Sequence, residues 1–336
     1  MEPIYHDGAI CALQFYRSKL YSGEGPNLCI YDYQDQNLEK NKIFERKIIP
    51  KNKIHGIKFN KQTSDSDDDS DDVVVAIWGG RSLVISKLSD LKDANYKIKE
   101  LFVGDWIMTC EFSNCGKKLY VLNAHNCVTT INIECLKNLK IESENHCNEK
   151  SILYSGTIRV LNDKILICAG TVMSGILLWE LNSCKLLHNL TGHEGSIFGV
   201  KASSDGKYLV SCSDDRSIKI WDIESGENLA TGWGHGARIW SLDFYTIDSN
   251  NNNNEIFRIF SASEDCTARV WGFKANDSNL ECYNIYDSHT GRNVWSSAIN
   301  YQDSIAATGG ADGRIKLYDL NETIRDGYFS NEWDIN

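Results

Sequence analysis

The chain has 336 residues, with 46 acidic against 35 basic side chains and a formal net charge of −11. That length fills one large domain or two small ones, and the charge excludes a uniformly basic nucleic-acid binder while leaving room for a local basic patch. Six of the negatives come from residues 65–72 alone, so the rest of the chain is only mildly acidic.

The opening MEPIYHDGAI has neither a basic nor an apolar stretch of the kind a secretory signal needs. No run approaches the roughly 18 apolar residues of a membrane-spanning helix, so no membrane contact is expected. The twelve cysteines contain no C-x-x-C pair. Most lie in or beside strand-like segments, which fits unpaired thiols in a reducing cytosol or nucleus, with the cytoplasm as the expected location, and gives no reason to expect a metal or a cofactor. Only three prolines occur, strand-forming residues recur throughout, and no long amphipathic helix is apparent. The expectation is an all-β chain of short strands and turns.

In chain order, seven units of that kind can be marked. The first, about 6–33, runs from Ile10–Phe15 through Lys19–Ser22 and the turn Gly23-Glu24-Gly25-Pro26 to Leu28–Tyr33. The second, about 54–88, is interrupted by an insertion at 61–72 that carries the Asp/Ser run. That run reads as a solvated loop, with a phosphorylated docking segment as the sharper alternative. The third spans about 105–133 and the fourth about 155–181, closing on Leu177-Leu178-Trp179-Glu180.

The fifth, 192–223, is the most regular: GHEGSIFGVKASSDGKYLVSCSDDRSIKIWDI. It opens on Gly192-His193 and closes on Trp221-Asp222. Between them, Ile197–Val200, Tyr208–Val210 and Ile218–Trp221 read as strands, separated by the turns Ser203–Lys207 and Asp214–Arg216. The sixth, about 234–273, opens on Gly234-His235, closes on Val270-Trp271 and carries an asparagine-rich insertion at 248–255. The seventh, about 289–320, runs from His289 to Leu317-Tyr318-Asp319. An aspartate, Asp215, Asp265 or Asp312, stands six residues before each closing aromatic. The aromatics at 179, 221, 271 and 318 lie 42, 50 and 47 residues apart.

A Gly-His opening, a turn Asp and a Trp-Asp close at this period resemble the WD40 repeat. The resemblance implies a single seven-bladed β-propeller over 1–320, with 321–336 as a tail. Residues 2–8, or the segment after 320, would supply a closing strand for the last blade. It also implies that each Gly-His histidine, a strand serine, the turn Asp and the Trp form a buried hydrogen-bond network. The residues so assigned are His193, Ser213, Asp215 and Trp221; His235, Ser263, Asp265 and Trp271; and His289 with Asp312. A His–Ser–Asp catalytic reading is disfavoured because the set recurs from unit to unit, as active sites do not.

The loops before the sixth and seventh units are distinctive. Each places an arginine just ahead of a tryptophan: Arg238 and Trp240, then Arg292 and Trp295, with Arg216 and Arg314 in nearby turns. Such a cluster suits acidic side chains, phosphates or stacked bases. Taken singly, each arginine is better read as paired with a nearby acid such as Glu194, Asp214, Glu264 or Asp312; taken together they suggest a partner-binding face. The segments GHGARIW at 234–240, SASEDCTARVW at 261–271, GRNVWS at 291–296, GHEGSIF at 192–198 and TGGADGRIKL at 308–317 resemble the WD repeat-containing protein 6 family, as does SGEGP at 22–26. That family partners an FtsJ-type tRNA 2′-O-methyltransferase without catalysing the reaction and helps present tRNA for methylation of the anticodon wobble nucleotide. Its members are about three times longer, so the resemblance implies a first ring only. The competing expectation is a general WD40 scaffold, such as a ubiquitin-ligase substrate receptor.

Overall fold

The computed structural model describes residues 8–33, 41–60, 73–162, 164–246, 255–274, 278–287, 289 and 293–320. It is a β-propeller of seven antiparallel sheets. The first holds β1 (Ile10–Tyr16), β2 (Lys19–Glu24), β3 (Asn27–Asp32) and β4 (Lys42–Lys47). The second holds β5 (Gly56–Phe59), β6 (Val74–Gly79), β7 (Ser82–Lys87) and β8 (Glu100–Phe102), with the short helix α1 (Leu88–Lys92) after β7. The third comprises β9 (Ile107–Phe112), β10 (Lys118–Asn123), β11 (Cys127–Asn132) and β12 (Lys140–His146). The fourth comprises β13 (Leu153–Val160), β14 (Ile165–Thr171), β15 (Ile176–Glu180) and β16 (Lys185–Leu190). Next come β17 (Ile197–Ala202), β18 (Tyr208–Ser213), β19 (Ile218–Asp222) and β20 (Asn228–Gly232), and then β21 (Ile239–Thr246), β22 (Glu255–Ser263), β23 (Thr267–Lys274) and β24 (Glu281–Asp287). The seventh sheet shows three strands among the described residues, β25 (Val294–Asn300), β26 (Ile305–Gly310) and β27 (Ile315–Asp319).

Each blade follows from where its strands lie. A middle strand such as β18 is packed on both faces by the neighbouring blades, and its sequence YLVSCS is buried at every position but the first. An outer strand such as β16, KLLHNL, has one face to solvent and alternates exposed and half-buried residues until its buried end. The outer strands β4, β8, β12, β16, β20 and β24 lie beyond the segments assigned from sequence. With so many polar residues on their free faces they carry little hydrophobic signal. The insertion between β5 and β6, nearly all of that between β21 and β22, residues 2–7 and the tail after 320 lie outside the described residues.

Among the described residues the core forms seven separate clusters, one between each pair of adjacent blades. Ile10, Leu13, Phe15 and Tyr31 of the first sheet pack with Ala298, Ala307 and Ile315 of the seventh. Val210, Ile220 and Ile239 join the fifth and sixth sheets to Phe257 and Trp271. The first-to-seventh seam is also polar. Ser296 Oγ donates to the Ile10 carbonyl at 3.2 Å, Asn300 Nδ2 donates to Tyr33 Oη at 2.7 Å, and Tyr33 in turn donates to Asp303 at 2.6 Å. The approach is close: a Cβ added at Gly309 would lie 2.4 Å from Ile10 Cγ2.

Candidate functional site

Two constellations were expected from sequence, and the structure separates them by burial. The first is the repeated polar network. In the fifth sheet His193 Nδ1 lies 2.8 Å from Asp215 Oδ2, and His193 Nε2 lies 2.8 Å from Ser211 Oγ. Trp221 Nε1 donates to that same Ser211 oxygen at 2.8 Å. The directions are forced. An ionised Asp only accepts, so Nδ1 carries the proton, and Nε2 accepts from the Ser211 hydroxyl. Burial lowers the His193 pKa below its ordinary value and keeps the ring neutral. Burial also opposes ionisation of Asp215, but hydrogen bonds from His193, Ser217 and the Glu194 N–H outweigh it and hold the carboxyl well below its usual range.

The strand serine is therefore Ser211, not Ser213 as the sequence suggested. Trp221 stands opposite Leu209 in the ladder. Ser211 is two residues along from that rung, and Ser213 is about a further 6–7 Å away at the strand end. There Ser213 Oγ accepts the Asp215 N–H at 3.2 Å and shapes the turn. The sixth sheet repeats the correction. His235 bonds Asp265 and Ser261 at 2.8 Å each, and Trp271 Nε1 donates to Ser261 at 2.8 Å. Ser263 instead donates to the Arg238 carbonyl at 2.9 Å. In the seventh sheet His289 Nδ1 lies 3.0 Å from Asp312, and Thr308 and Tyr318 take the Ser and Trp places, bonded to each other at 2.9 Å.

Earlier sheets solve the same problem differently. The fourth has Ala169 where the fifth has Ser211, and the Trp179 indole donates instead to Asn126 Oδ1 of the third sheet at 3.0 Å. In the first, Glu24 is buried and accepts from Ser22 at 2.7 Å and from Tyr31, with Lys42 Nζ at 3.2 Å balancing its charge.

The second constellation lies at the start of the inner strands, around the mouth of the central channel. Six of the seven inner strands carry a register shift that skips one residue: Cys11, Met108, Tyr154, Phe198, Trp240 and Trp295. A bulge of this kind turns its side chain out of the ladder. In four successive blades that side chain is aromatic. The rings run Tyr154–Phe198–Trp240–Trp295, with centroids 5.2, 4.5 and 5.3 Å apart. Tyr154 and Phe198 were missed from sequence. Their signal was the residue after the first buried aliphatic of each inner strand, visible only once the blades are aligned.

Of the arginines, Arg238 sits over the Trp240 ring, 5.6 Å from its centroid. Its Nε is bracketed by Glu264 at 2.8 Å and Asp214 at 3.2 Å. Arg216 reaches the Gly236 carbonyl at 3.5 Å. The backbone N–H of Arg314 is held by Asp312 at 3.1 Å. Arg292 lies outside the described residues. The structure thus brings together Arg238, Trp240 and Trp295, with Arg216 reaching the loop that leads into them. Among the described residues there is no group of three or more His, Cys, Asp or Glu side chains disposed to hold a metal, and none of the twelve cysteines is in a disulfide.

Comparison with known proteins agrees with this architecture. The family described as WD domain, G-beta repeat matches residues 184–222, 226–272 and 280–319, from the outer strand of the fourth sheet to the last strand of the seventh. The protein named tRNA (34-2'-O)-methyltransferase regulator WDR6 of Rattus norvegicus is 24% identical over 339 residues, covering 93% of this chain and 27% of the rat protein. The Homo sapiens protein of that name is 24% identical over 337 residues, with the same coverage. WD repeat-containing protein ATCSA-1 of Arabidopsis thaliana is 28% identical over 148 residues, 44% of this chain and 30% of the plant protein. The chain thus spans about a quarter of the length of the WDR6 proteins it matches. It is a seven-bladed β-propeller in which three WD40 repeats match the family, similar across 93% of its length to proteins named as regulators of a tRNA methyltransferase.

Proposed function

We propose that this propeller belongs to an accessory subunit of an FtsJ-type tRNA 2′-O-methyltransferase and helps present tRNA for methylation at the anticodon wobble nucleotide. One observation carries the reading: the likeness to the WDR6 regulators extends over the whole ring rather than over the three strongest repeats alone. Catalysis falls to the partner. The His–Asp pairs of the last three sheets are committed to buried hydrogen bonds and are not offered to a substrate. A cytoplasmic location, where free thiols persist, is part of the same reading.

The test is co-purification with an FtsJ-type methyltransferase, followed by methyl transfer to tRNA. Co-elution on gel filtration and a faster transfer than the enzyme alone are expected. A folded ring that neither co-elutes nor raises the rate removes this role from the ring. Recovery of ubiquitin-ligase adaptors in its place would favour the scaffold reading.

A further inference from the structure

The third sheet carries a histidine–aspartate pair with the places exchanged and turned outward. Asn123 and Ser213 each stand opposite the first residue of their inner strand. Two residues further on, His125 therefore holds the place that Asp215 holds in the fifth sheet. Its acid comes from the loop before the inner strand: His125 Nδ1 is bonded to Asp105. The His193 side chain is fully buried, whereas that of His125 is 69% exposed. Buried, such a pair locks a blade. At the surface it adds little to stability, and its imidazole is open to a ligand.

That imidazole lines a cavity of about 460 Å³ where the third sheet meets the loop into the fourth, together with His146, Cys147, Lys150, Ser151 and Ile152. The volume suits a small molecule. Its frame is fixed. Asn123 Oδ1 accepts the backbone N–H groups of His125 and Cys127 at 3.0 Å each. Asn126, buried and left-handed at φ 58°, accepts from the Trp179 indole and donates to the Glu149 carbonyl at 3.3 Å, tying the turn to the loop. His146 stands opposite Cys127 at the end of β12.

Among the described residues the side chains of His146, Lys150 and Ser151 have no hydrogen-bond or ion-pair partner. Burial opposes ionisation of Asp105, but bonds from His125 and the Trp106 N–H hold its carboxyl below the usual range. An ionised Asp105 only accepts, so His125 Nδ1 carries a proton and Nε2 is left for the cavity. Burial pushes the Cys147 thiol up, so it stays uncharged. Two imidazoles, an ammonium and a hydroxyl on one cavity suit a phosphoryl group, whose oxygens accept from all of them and whose monoanion can also donate. Ile152, 59% exposed, offers an apolar surface beside them. Glu144 and Glu149, two and three residues from His146, are exposed. They disfavour a polyanionic strand, which would have to run past both.

We infer that this cavity binds a small phosphomonoester, its phosphoryl oxygens taken by His125, His146, Lys150 and Ser151 and its organic part laid against Ile152. Nothing in this site depends on the function proposed above.

Phenyl phosphate is titrated with the full chain and followed by phosphorus NMR. Saturable broadening of its line is expected, reversed by inorganic phosphate and not by phenol. His146→Gln and Lys150→Gln should each weaken binding at least about tenfold, and Lys150→Arg, which keeps the charge, should retain it. Lys140→Gln, at the far end of β12, should leave binding unchanged. Thermal melting reports whether each variant is folded; the substituted side chains are exposed, so all should melt as the wild type does. No saturable binding, binding indifferent to His146→Gln and Lys150→Gln, or an equal loss in Lys140→Gln overturns the inference. So does displacement of phenyl phosphate by an equal concentration of a ten-nucleotide oligouridylate with hydroxyl ends, which would make the cavity a contact for an RNA backbone instead.

Discussion

The fifth and first sheets have the same four-stranded outline and different interiors. The fifth buries a neutral histidine, an ionised aspartate, a serine and a tryptophan in one chain of hydrogen bonds. The first buries a glutamate between a serine, a tyrosine and a lysine. The second leaves the Trp78 indole N–H buried without a hydrogen-bond partner. The difference teaches that the polar network does not define a blade. Middle strands with almost no exposed residue and a small residue against the next blade define it, as at Gly170 and Gly309, which face Ile197 and Ile10 of the adjoining inner strands, and at Gly23, which faces Ile54 just ahead of β5. The network is an added lock, free to change chemistry from sheet to sheet.

The sharpest break in this comparison is Trp221→Ala. It empties a fully buried site and should cost about 3–5 kcal/mol in denaturant unfolding; a loss under about 1 kcal/mol would mean that neighbouring blades collapse into the gap. Next is Glu24→Ala, which strips Tyr31, Ser22 and Lys42 of a shared acceptor. A loss of about 1–3 kcal/mol is expected, and a neutral result would show the first sheet indifferent to its own lock.

Ser211→Ala and Ser213→Ala test the assignment within one strand. The first orphans both the Trp221 N–H and His193 Nε2 and should cost about 1–3 kcal/mol, whereas the second removes one turn contact worth about 0.5–1.5 kcal/mol. Equal losses would contradict the geometry.

Acid should also act on the later sheets. His193 and His235 have lowered folded-state pKa values, so the unfolded chain takes up protons first, and stability falls as pH drops below about 6.5. Asp215, Asp265 and Asp312 are likewise depressed. Their contribution is intact above the unfolded value near 3.8 and is lost as pH falls below it toward their folded values. A urea midpoint that does not move between pH 7.5 and 5.5 would argue against neutral buried imidazoles. The smallest effect belongs to Asp214→Asn. Its ion pair with Arg238 is partly exposed, and the change should stay within about 1 kcal/mol.

The propeller was legible in the sequence because the last three units carry Gly-His, Asp and Trp-Asp signals at a fixed period. The outer strands were not, since a sequence such as KIESENH in β12, mostly exposed and with little apolar content, does not announce a strand. Ser213 was preferred to Ser211 because spacing along one chain does not say which rung of a ladder faces the indole; that depends on the register of β18 against β19. Arg238, Trp240 and Trp295 were legible as a cluster. Their continuation through Phe198 and Tyr154 was not, because a bulge is a property of paired strands.

The seam between the first and seventh sheets has a consequence for how the chain is made. Ser296 bonds the carbonyl of Ile10 across a separation of 286 residues. At about 5–20 residues per second, a ribosome needs roughly 15–60 s to deliver the second partner after the first has emerged. Through that interval Ile10, Leu13 and Phe15 await the surface that will cover them. Contacts so distant in sequence slow folding, so the first sheet of the ring keeps an open apolar flank until the seventh has been made.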